Sequence, residues 1–492
     1  MNPMHHAPAQ GPVRQDRLYV GGEWLDPVDG RLVDVINPLT EESIGRAALA
    51  GRADIDRAVR AARAAFDAGP WAASTVHERA AIMVRAGELI AARAEEFTRT
   101  ITLEVGSPLP IATIQPPISK VFLDWHAAQA STFPWEEERE GVQGPLLVRR
   151  QPVGVVDAIV PWNFPLALSF PKLAPALLTG CSVVLKPPEE TPLFGFLLAE
   201  VFAEAGLPAG VLNVVAADRE VSEALVEHPL VDKISFTGST RAGRRIASLC
   251  GAQIKRCSLE LGGKSAAIVL PDADLDAVVP ALAPSTMTNN GQTCMNQTRV
   301  LAYRERYADV VDALRETIAA FPVGDPADPD VFIGPLVSDV QRRRVEGYIA
   351  KGREQGARLV LGGGRPDRDR GYFVQPTIFA DVDNRMTIAQ EEIFGPVVAV
   401  IPYDDENHAV AIANDSDYGL SGSVWGPDVE HAKDVARRIR SGNVAINQHT
   451  LDLGGPFGGF KRSGIGREYG LEGIEEYVEI QSIPYLRKPV RR

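Results

Sequence analysis

The feature of this sequence that most constrains its fold is an alternation of short apolar runs with helical segments, which begins at Val153. The runs cover residues 153–160, 182–186, 211–215, 231–236 and 257–261. Strand, helix and strand units of this length favour a parallel sheet with helices on both faces. A second alternation begins at Ala266 and continues through the C-terminal part of the chain. The sequence therefore predicts two α/β domains.

Length, composition and charge narrow the functional classes. A chain of 492 residues corresponds to about three domains at roughly 150 residues each. Apolar residues make up 45% and charged residues 23%, as in globular proteins. No apolar run approaches the roughly 18 residues that span a bilayer, and the N-terminus lacks the order of a secretory signal, so a cytoplasmic protein is expected. The net charge of -13 comes from mixed acidic and basic residues, which argues against a nucleic-acid partner and favours a small molecule.

The four cysteines are too few for a disulfide framework and contain no CxxC pair or zinc spacing, so no metal site is predicted. Cys294 stands apart because it lies in a run of small polar residues after a predicted helix. A buried structural thiol has apolar neighbours instead. Cys294 is therefore a candidate nucleophile that needs partners elsewhere in the chain.

Ligands of parallel sheets bind at the carboxyl ends of the strands, and several polar residues follow the predicted strands directly. Asn163, held between prolines, is a candidate to stabilise an oxyanion, although an asparagine in a turn needs no function. Glu260 is a candidate general base if it is partly buried, and otherwise a surface acid. Ser239 begins a helix after a glycine turn, where it could contact a phosphate or simply cap the helix. Lys186 and Glu189 could bind ribose hydroxyls or form a weak ion pair in a solvated loop.

Seven segments occur in a characteristic order: PWNFP, LKPPEETP, FTGST, LELGGKS, GQTC, EEIFGPV and PFGGFKRSGIGRE. Together they closely resemble the NAD(P)-dependent aldehyde dehydrogenase superfamily, over about residues 19–485. The resemblance implies a Rossmann-like dinucleotide-binding domain, a second α/β catalytic domain and a small β oligomerisation hairpin. The implied boundaries are 1–133 and 151–262 for the NAD-binding domain, 263–476 for the catalytic domain, and 134–150 and 477–492 for the oligomerisation segment. A homodimer or homotetramer is expected.

The resemblance also implies roles at the reaction centre. Cys294 would attack the aldehyde, the side chain of Asn163 and the backbone N–H of Cys294 would hold the oxyanion, and Glu260 would activate the water that hydrolyses the thioester. Lys172 lies where the family often has a lysine near the site. Some relatives carry a second glutamate at the position of Leu471, so that any role there is in doubt and more falls on Glu260.

For the cofactor, the resemblance implies NAD, with NADP possible, because a glutamate at position 189 should repel a 2′-phosphate. Ser239 would contact the pyrophosphate, Lys186 and Glu189 the adenosine ribose, and Glu392 the nicotinamide ribose with Phe394 packed beside it. Trp162 would line the adenine side of the cleft. The remaining cofactor contacts expected beside these strand ends are Gly238, Leu261 and Gly262.

The positions that resemble the family's substrate tunnel are mostly apolar: Phe164, Leu168, Thr293, Met295, Leu451 and Phe457. This favours aliphatic, aromatic or terpenoid aldehydes, although Asp452 and His449 lie close in sequence and could alter that preference. Glu260 favours hydrolysis to the free acid, since relatives that acylate coenzyme A commonly lack it. The alternatives are a coenzyme A-acylating enzyme, an esterase using the same cysteine, and a catalytically silent binding protein on the same fold.

Overall fold

The structure is a computed structural model that describes residues 13–486. The oligomerisation segment predicted to end at residue 492 therefore lies partly outside the described residues. The strands within the described range are β1 Val13–Gln15, β2 Leu18–Val20, β3 Glu23–Leu25, β4 Leu32–Ile36, β5 Ser43–Ala48, β6 Glu136–Gly141, β7 Gly144–Pro152, β8 Val155–Ile159, β9 Ser182–Lys186, β10 Leu212–Val214, β11 Lys233–Thr237, β12 Arg256–Glu260, β13 Ala266–Val269, β14 Arg299–Tyr303, β15 Arg358–Leu361, β16 Thr377–Ala380, β17 Val397–Tyr403, β18 Ser421–Trp425, β19 Asn443–Ile446, β20 Gly464–Ile465 and β21 Val478–Pro484.

The α-helices of the same range connect and cover these strands. They are α1 Arg52–Ala68, α2 Pro70–Ala73, α3 Val76–Ala92, α4 Ala94–Val105, α5 Leu109–Ala112, α6 Gln115–Ala128, α7 Phe170–Thr179, α8 Leu193–Glu204, α9 Arg219–Glu227, α10 Thr240–Gln253, α11 Leu275–Met287, α12 Tyr307–Ala319, α13 Asp339–Glu354, α14 Thr387–Gln390, α15 Glu406–Asn414, α16 Val429–Ala436 and α17 Gly470–Glu475. None of these helices is long and apolar enough to cross a membrane.

Two large sheets confirm the predicted α/β class. The first has the strand order β20-β12-β11-β8-β9-β10-β2-β3, and its strands β8 to β12 run parallel to one another. The second has the order β15-β16-β17-β14-β13-β18-β19 and is parallel except for the edge strand β15. Successive residues of β13 face two different apolar cores, so both faces of this sheet are covered. That burial is why the strands read as continuous apolar runs in the sequence.

Two smaller sheets complete the architecture. Strands β21, β7 and β6 form an antiparallel sheet from the segments predicted to mediate oligomerisation. Strands β1, β5 and β4 form the other. The short strand β20 crosses from the second half of the chain to pair with β12, and its Gly464 lies opposite Glu260. The chain segment that follows the second sheet therefore reaches the carboxyl edge of the first sheet.

Candidate active site

The loop that carries Cys294 joins the end of α11 to the start of β14 and is fixed by amide hydrogen bonds. Asn289 and Asn290 both adopt positive φ values, of 54° and 61°, which asparagine tolerates better than most residues. The Asn289 side chain donates to the Asn163 carbonyl oxygen at 2.8 Å. In return the Asn163 Nδ2 donates to the Gln292 carbonyl oxygen at 2.9 Å. These two bonds hold the cysteine loop against the predicted oxyanion residue.

Asn163 lies at the same open space as Cys294. Its side chain is buried, and its Nδ2 uses one of two hydrogens in the bond to Gln292. Both residues line a cleft on one side and a pocket on the other. The backbone N–H groups of Cys294 and Met295 point at the Cys294 thiol and act to lower its pKa. The second amide hydrogen and these N–H groups are the donors that an oxyanion formed at this sulfur needs.

The surroundings of the Cys294 thiol favour its neutral form. Burial raises its pKa to about 12, and the charges of Glu392 and Glu260 act in the same direction. No cationic side chain among the causes opposes them. The thiol therefore differs from cysteines whose pKa is lowered by a neighbouring histidine or lysine.

Glu260 is the last residue of β12 and is 4% exposed. Its Oε2 atom is buried without a hydrogen-bond partner among residues 13–486. Burial raises the pKa of this carboxyl well above its usual range, and the charge of Glu468 raises it further. Glu260 lines the cleft together with Cys294, which makes its carboxyl the candidate base for a water molecule in that cleft.

A second buried carboxylate, that of Glu468, lies close enough to Glu260 for its charge to act on it, and the sequence did not predict a role for it. Lys172, in the fully buried helix α7, donates to Glu468 Oε1 at 2.5 Å and to Thr237 Oγ1 at 2.6 Å. The family resemblance had suggested position 471 for a second glutamate instead, but the residue there, Leu471, is 45% exposed. Glu468 ends the segment PFGGFKRSGIGRE, but no role was expected for it; a further signal was that Lys172, in an apolar helix, requires a counter-ion.

The cleft has two ends that fit the two halves of a dinucleotide. The residues lining the Cys294 end include Trp162, Gly238, Ser239, Leu261, Gly262, Glu392 and Phe394. The residues lining the other end include Lys186, Glu189, Arg219, Glu223 and Arg245. The first turns of α10 run from one end to the other, and Ser239 caps this helix by accepting from the Ala242 N–H at 3.3 Å. The helix N-terminus favours the phosphates that would lie between the two ends.

Gly262 leaves room for the Glu392 carboxylate at the Cys294 end of the cleft. A Cβ atom at Gly262 would lie 2.4 Å from Glu392 Oε2, so the carboxylate occupies the space that a side chain would fill. Glu392 Oε1 also accepts from the Gly263 N–H at 3.1 Å. The carboxylate is therefore held at the wall of the cleft, where burial raises its pKa to about 7.

The position expected for Trp162 is wrong. Its ring contacts Phe394 edge-on, with centroids 5.3 Å apart, at the Cys294 end of the cleft. Lys186 and Glu189, the residues expected at the adenosine, line the opposite end. The motif PWNFP follows β8, and its tryptophan and asparagine both line the Cys294 end, which the order of motifs alone did not reveal.

A separate pocket of about 550 Å³ opens on the other side of Cys294. All six residues expected in the substrate tunnel line it: Phe164, Leu168, Thr293, Met295, Leu451 and Phe457. His449 also lines it and donates from Nε2 to the Met295 carbonyl oxygen at 3.1 Å, whereas Asp452 is not among the lining residues. Helix α6 and the region after β20 supply lining residues that the sequence did not suggest: Pro117, Ile118, Val121, Phe122 and Tyr469.

The pocket and the cleft meet at Cys294, Asn163 and Leu168, which line both. A carbonyl carbon at the sulfur would therefore have its tail in the pocket and an open space on its cleft side. Among residues 13–486, no group of three or more His, Cys, Asp or Glu side chains could hold a metal ion. The arrangement suits covalent chemistry at a thiol between an apolar substrate and a dinucleotide.

Comparisons with known proteins agree with this geometry. The family model described as the aldehyde dehydrogenase family matches residues 24–483. Geranial dehydrogenase from Castellaniella defragrans is 48% identical over 96% of this chain and 99% of that protein. An aldehyde dehydrogenase from Mycobacterium tuberculosis complexed with NAD+ has a TM-score of 0.96 and 51% identity, covering 98% of this chain and 100% of its own.

A further solved structure contains an aldehyde and NAD+ together. Aldehyde dehydrogenase C from Pseudomonas syringae, a variant in complex with NAD+ and octanal, has a TM-score of 0.92 and 42% identity, covering 95% of this chain and 96% of its own. The family match spans nearly all the described residues, and both sides of the thiol have the shapes that the family's chemistry requires. The chain therefore belongs to the aldehyde dehydrogenase family and is an NAD(P)-dependent enzyme that oxidises aldehydes.

Proposed function

We propose that this enzyme is a hydrolytic aldehyde dehydrogenase that converts an apolar aldehyde and NAD+ to the carboxylic acid through a thioester on Cys294. The observation that carries this proposal is a buried carboxyl, that of Glu260, in the wall of the cleft that Cys294 also lines, with its Oε2 atom unpartnered among residues 13–486. An enzyme that transfers its acyl group to coenzyme A has no need for a buried base at the thioester. Burial raises the pKa of this carboxyl well above its usual range, which makes its ionised form a stronger base toward water.

In the first half-reaction, Cys294 loses its thiol proton to solvent and its sulfur bonds to the carbonyl carbon. The carbonyl oxygen becomes an oxyanion, which the Asn163 side chain and the backbone N–H of Cys294 stabilise. When bound in the cleft, NAD supplies the acceptor for the hydride that leaves this carbon. Collapse of the oxyanion leaves a thioester on Cys294.

In the second half-reaction, Glu260 takes a proton from water, and the hydroxide adds to the thioester carbonyl. The carbon–sulfur bond then breaks, the acid is released, and the proton on Glu260 returns to the sulfur. Lys172, paired with Glu468, provides positive charge that acts to lower the pKa of Glu260, whereas Glu468 acts to raise it. The pair therefore sets the balance between the two forms of the base.

The cleft supports NAD as the preferred cofactor. Lys186 and Glu189 would bind the adenosine ribose, Ser239 the pyrophosphate, and Glu392 the nicotinamide ribose. The Glu189 carboxylate would repel a 2′-phosphate. A second candidate, NADP, is favoured by Arg219 in the same end of the cleft, because no described hydrogen bond or ion pair engages its side chain. Arg245, by contrast, pairs with Glu223 at 2.9 Å.

The pocket supports aldehydes with an apolar tail. Its lining is largely aliphatic and aromatic, with no arginine or lysine to receive a substrate carboxylate among the lining residues. This preference agrees with the aldehydes that the names of two relatives print: geranial in the name of one enzyme, and octanal as the molecule bound to the other. Methyl and methylene groups buried in such a pocket each contribute about 0.8 kcal/mol to binding.

The experiment that tests this function measures NADH formation from octanal and geranial with NAD or NADP, in the presence and absence of coenzyme A. We expect turnover without coenzyme A, a carboxylic acid product, and higher kcat/KM with NAD. Strict dependence on coenzyme A would show an acylating enzyme, and NAD binding without any turnover would show a silent protein. A higher kcat/KM with NADP would contradict the assignment of Glu189.

We also propose the domain division 1–133 with 151–262, 263–476, and 134–150 with 477–492. The last pair of segments contains β6, β7 and β21, and Ile480 on the edge strand β21 is 61% exposed. An exposed apolar edge strand is suited to a partner chain, which supports a homodimer or homotetramer. Light scattering of wild type and Ile480→Glu would test this, with dissociation expected in the variant.

The four free cysteines support a cytoplasmic location.

A further inference from the structure

Tyr469 is a buried residue of the substrate pocket whose hydroxyl group has no assigned use. The residue is 6% exposed and lines the pocket with Cys294. No described hydrogen bond reaches its hydroxyl oxygen. That oxygen is also not one of the unpartnered polar atoms that are sealed from open space, so it borders open space. The open space next to Tyr469 is the pocket, so the hydroxyl faces the pocket. Buried tyrosine hydroxyls normally have a partner, which makes this one informative.

The hydroxyl groups of Thr293 and Thr288 and the imidazole of His449, which line the same pocket, donate their hydrogens to backbone carbonyl oxygens. Thr293 donates to the Thr288 carbonyl oxygen at 2.9 Å, and Thr288 donates to the Pro284 carbonyl oxygen at 3.0 Å. His449 donates to the Met295 carbonyl oxygen. Tyr469 is thus the hydroxyl of the buried pocket wall that remains available to a bound molecule. Its pKa is raised well above the ordinary value by burial and then by the charge of Glu468, so it stays a neutral O–H donor.

The backbone at Tyr469 is held in an uncommon conformation. Its φ of 62° and ψ of 171° lie in a region that side-chain-bearing residues rarely adopt. The preceding residue, Glu468, exchanges two backbone hydrogen bonds with Phe457, at 2.6 Å and 2.7 Å, and the Gly473 N–H donates to the Tyr469 carbonyl oxygen at 2.8 Å. These bonds fix a strained residue at the pocket wall, where rigid placement of a hydroxyl is useful.

The surroundings of the hydroxyl favour a flat group. The Tyr469 ring lies over Phe457 with centroids 5.3 Å apart and an interplanar angle of 24°. The Tyr469 ring also contacts Phe122, with centroids 5.0 Å apart and an interplanar angle of 62°. Three aromatic rings thus form one corner of the pocket, and an aromatic or conjugated part of an aldehyde can pack against them.

Tyr469 belongs to the pocket side of Cys294. Glu260 lines the cleft and not the pocket, whereas Tyr469 lines the pocket and not the cleft. The carbonyl oxygen already has its donors in Asn163 and the backbone N–H of Cys294. Tyr469 is therefore placed for an atom of the substrate beyond the aldehyde group.

We propose that Tyr469 determines specificity by donating a hydrogen bond to an acceptor oxygen on the tail of the aldehyde, and so selects flat aldehydes that carry such an oxygen. This inference rests on the proposed function of the pocket as the site of the aldehyde tail. The expected gain is that of one neutral hydrogen bond, about 3- to 10-fold in kcat/KM.

The test compares wild type with Tyr469→Phe on two matched series of substrates. The 2-, 3- and 4-acetylbenzaldehydes carry a ketone acceptor, and the 2-, 3- and 4-isopropylbenzaldehydes have a similar shape without it. The quantity measured is the ratio of kcat/KM for the acetyl compound to kcat/KM for its isopropyl partner. Dividing this ratio for wild type by the ratio for the variant cancels the active fraction of each preparation and the intrinsic reactivity of each aldehyde.

We expect the ratio to fall about 3- to 10-fold in Tyr469→Phe at one or more ring positions. As a control, Tyr307→Phe removes a hydroxyl that bonds to the Val400 carbonyl oxygen in the second sheet, and should leave the ratio unchanged. An unchanged ratio at all three positions in Tyr469→Phe overturns the proposal. Absence of turnover with every aldehyde in wild type would instead refute the proposed function.

Discussion

Gly458 sets the position of the proposed general base, and its replacement by alanine should disturb one half-reaction selectively. A Cβ atom at this position would lie 2.7 Å from Glu260 Oε1 and 2.8 Å from the Gly466 carbonyl oxygen. Ordinary contacts begin at 3.4 Å, so the carboxylate would have to retreat by about 0.7 Å. The φ of 156° at Gly458 adds backbone strain.

A displacement of this size at a reacting group costs on the order of 10² in rate. The loss should fall on hydrolysis of the thioester, because Cys294 and Asn163 do not contact the new methyl group. The assay is stopped-flow absorbance of NADH with octanal and saturating NAD. Gly458→Ala should give a full burst of NADH followed by turnover slower than wild type by about 10²-fold.

Gly455→Ala is the matched control in the same loop. Its Cβ would meet its nearest atom, the Asp452 carbonyl oxygen, at 3.9 Å, and its φ is not positive. This variant should turn over at the wild-type rate. Equal turnover in the two alanine variants would refute the placement of Glu260, and loss of the burst in Gly458→Ala would show that the carboxylate acts before hydride transfer.

Three further outcomes follow from the same site. In the enzyme without cofactor, the rate at which iodoacetamide alkylates Cys294 should rise about tenfold per pH unit to beyond pH 10, because the pKa of the thiol is about 12. Peptide mass spectrometry would measure this rate. A plateau of the rate below pH 9 would contradict the expectation. Gly262→Ala should displace Glu392 and raise the KM for NAD about 10-fold or more, with a smaller effect on the KM for octanal; an unchanged KM for NAD would exclude this carboxylate as a contact. Lys172→Met leaves the Glu468 carboxylate buried without its cation and should lower the free energy of unfolding by about 3–5 kcal/mol, as measured by thermal and urea unfolding. Adding Glu468→Leu to this variant should restore stability. An unchanged melting temperature in Lys172→Met would contradict the pairing.

The sequence predicted most of the first sheet because its strands are buried on both faces. Such strands read as short apolar runs, and the predicted limits of β9, 182–186, agree with the structure at both ends. The reaction centre was also predictable, since each candidate stood in a motif at a strand end or in a polar run. The structure brings Cys294, Asn163 and Glu260 to one cleft, and their roles stay predictions.

What the sequence did not reveal depends on contacts between distant segments. Glu468 gains its importance from Lys172, which lies 296 residues away. Tyr469 enters the pocket because the chain after β20 folds back against Phe457 and Phe122. Trp162 was assigned to the wrong end of the cleft because motif order gives no direction along a cleft. Each of these three points depends on which distant segments of the chain come into contact, and local periodicity in the sequence carries no such information.

The most direct test of the central claim is to trap the acyl intermediate. Glu260→Gln, mixed with octanal and NAD and quenched after the NADH burst, should carry one octanoyl group on the peptide that contains Cys294. The same variant without NAD should carry none, because the thioester forms only after hydride leaves the carbon. An NADH burst with no acyl group on Cys294, or with the acyl group on another residue, would contradict the account.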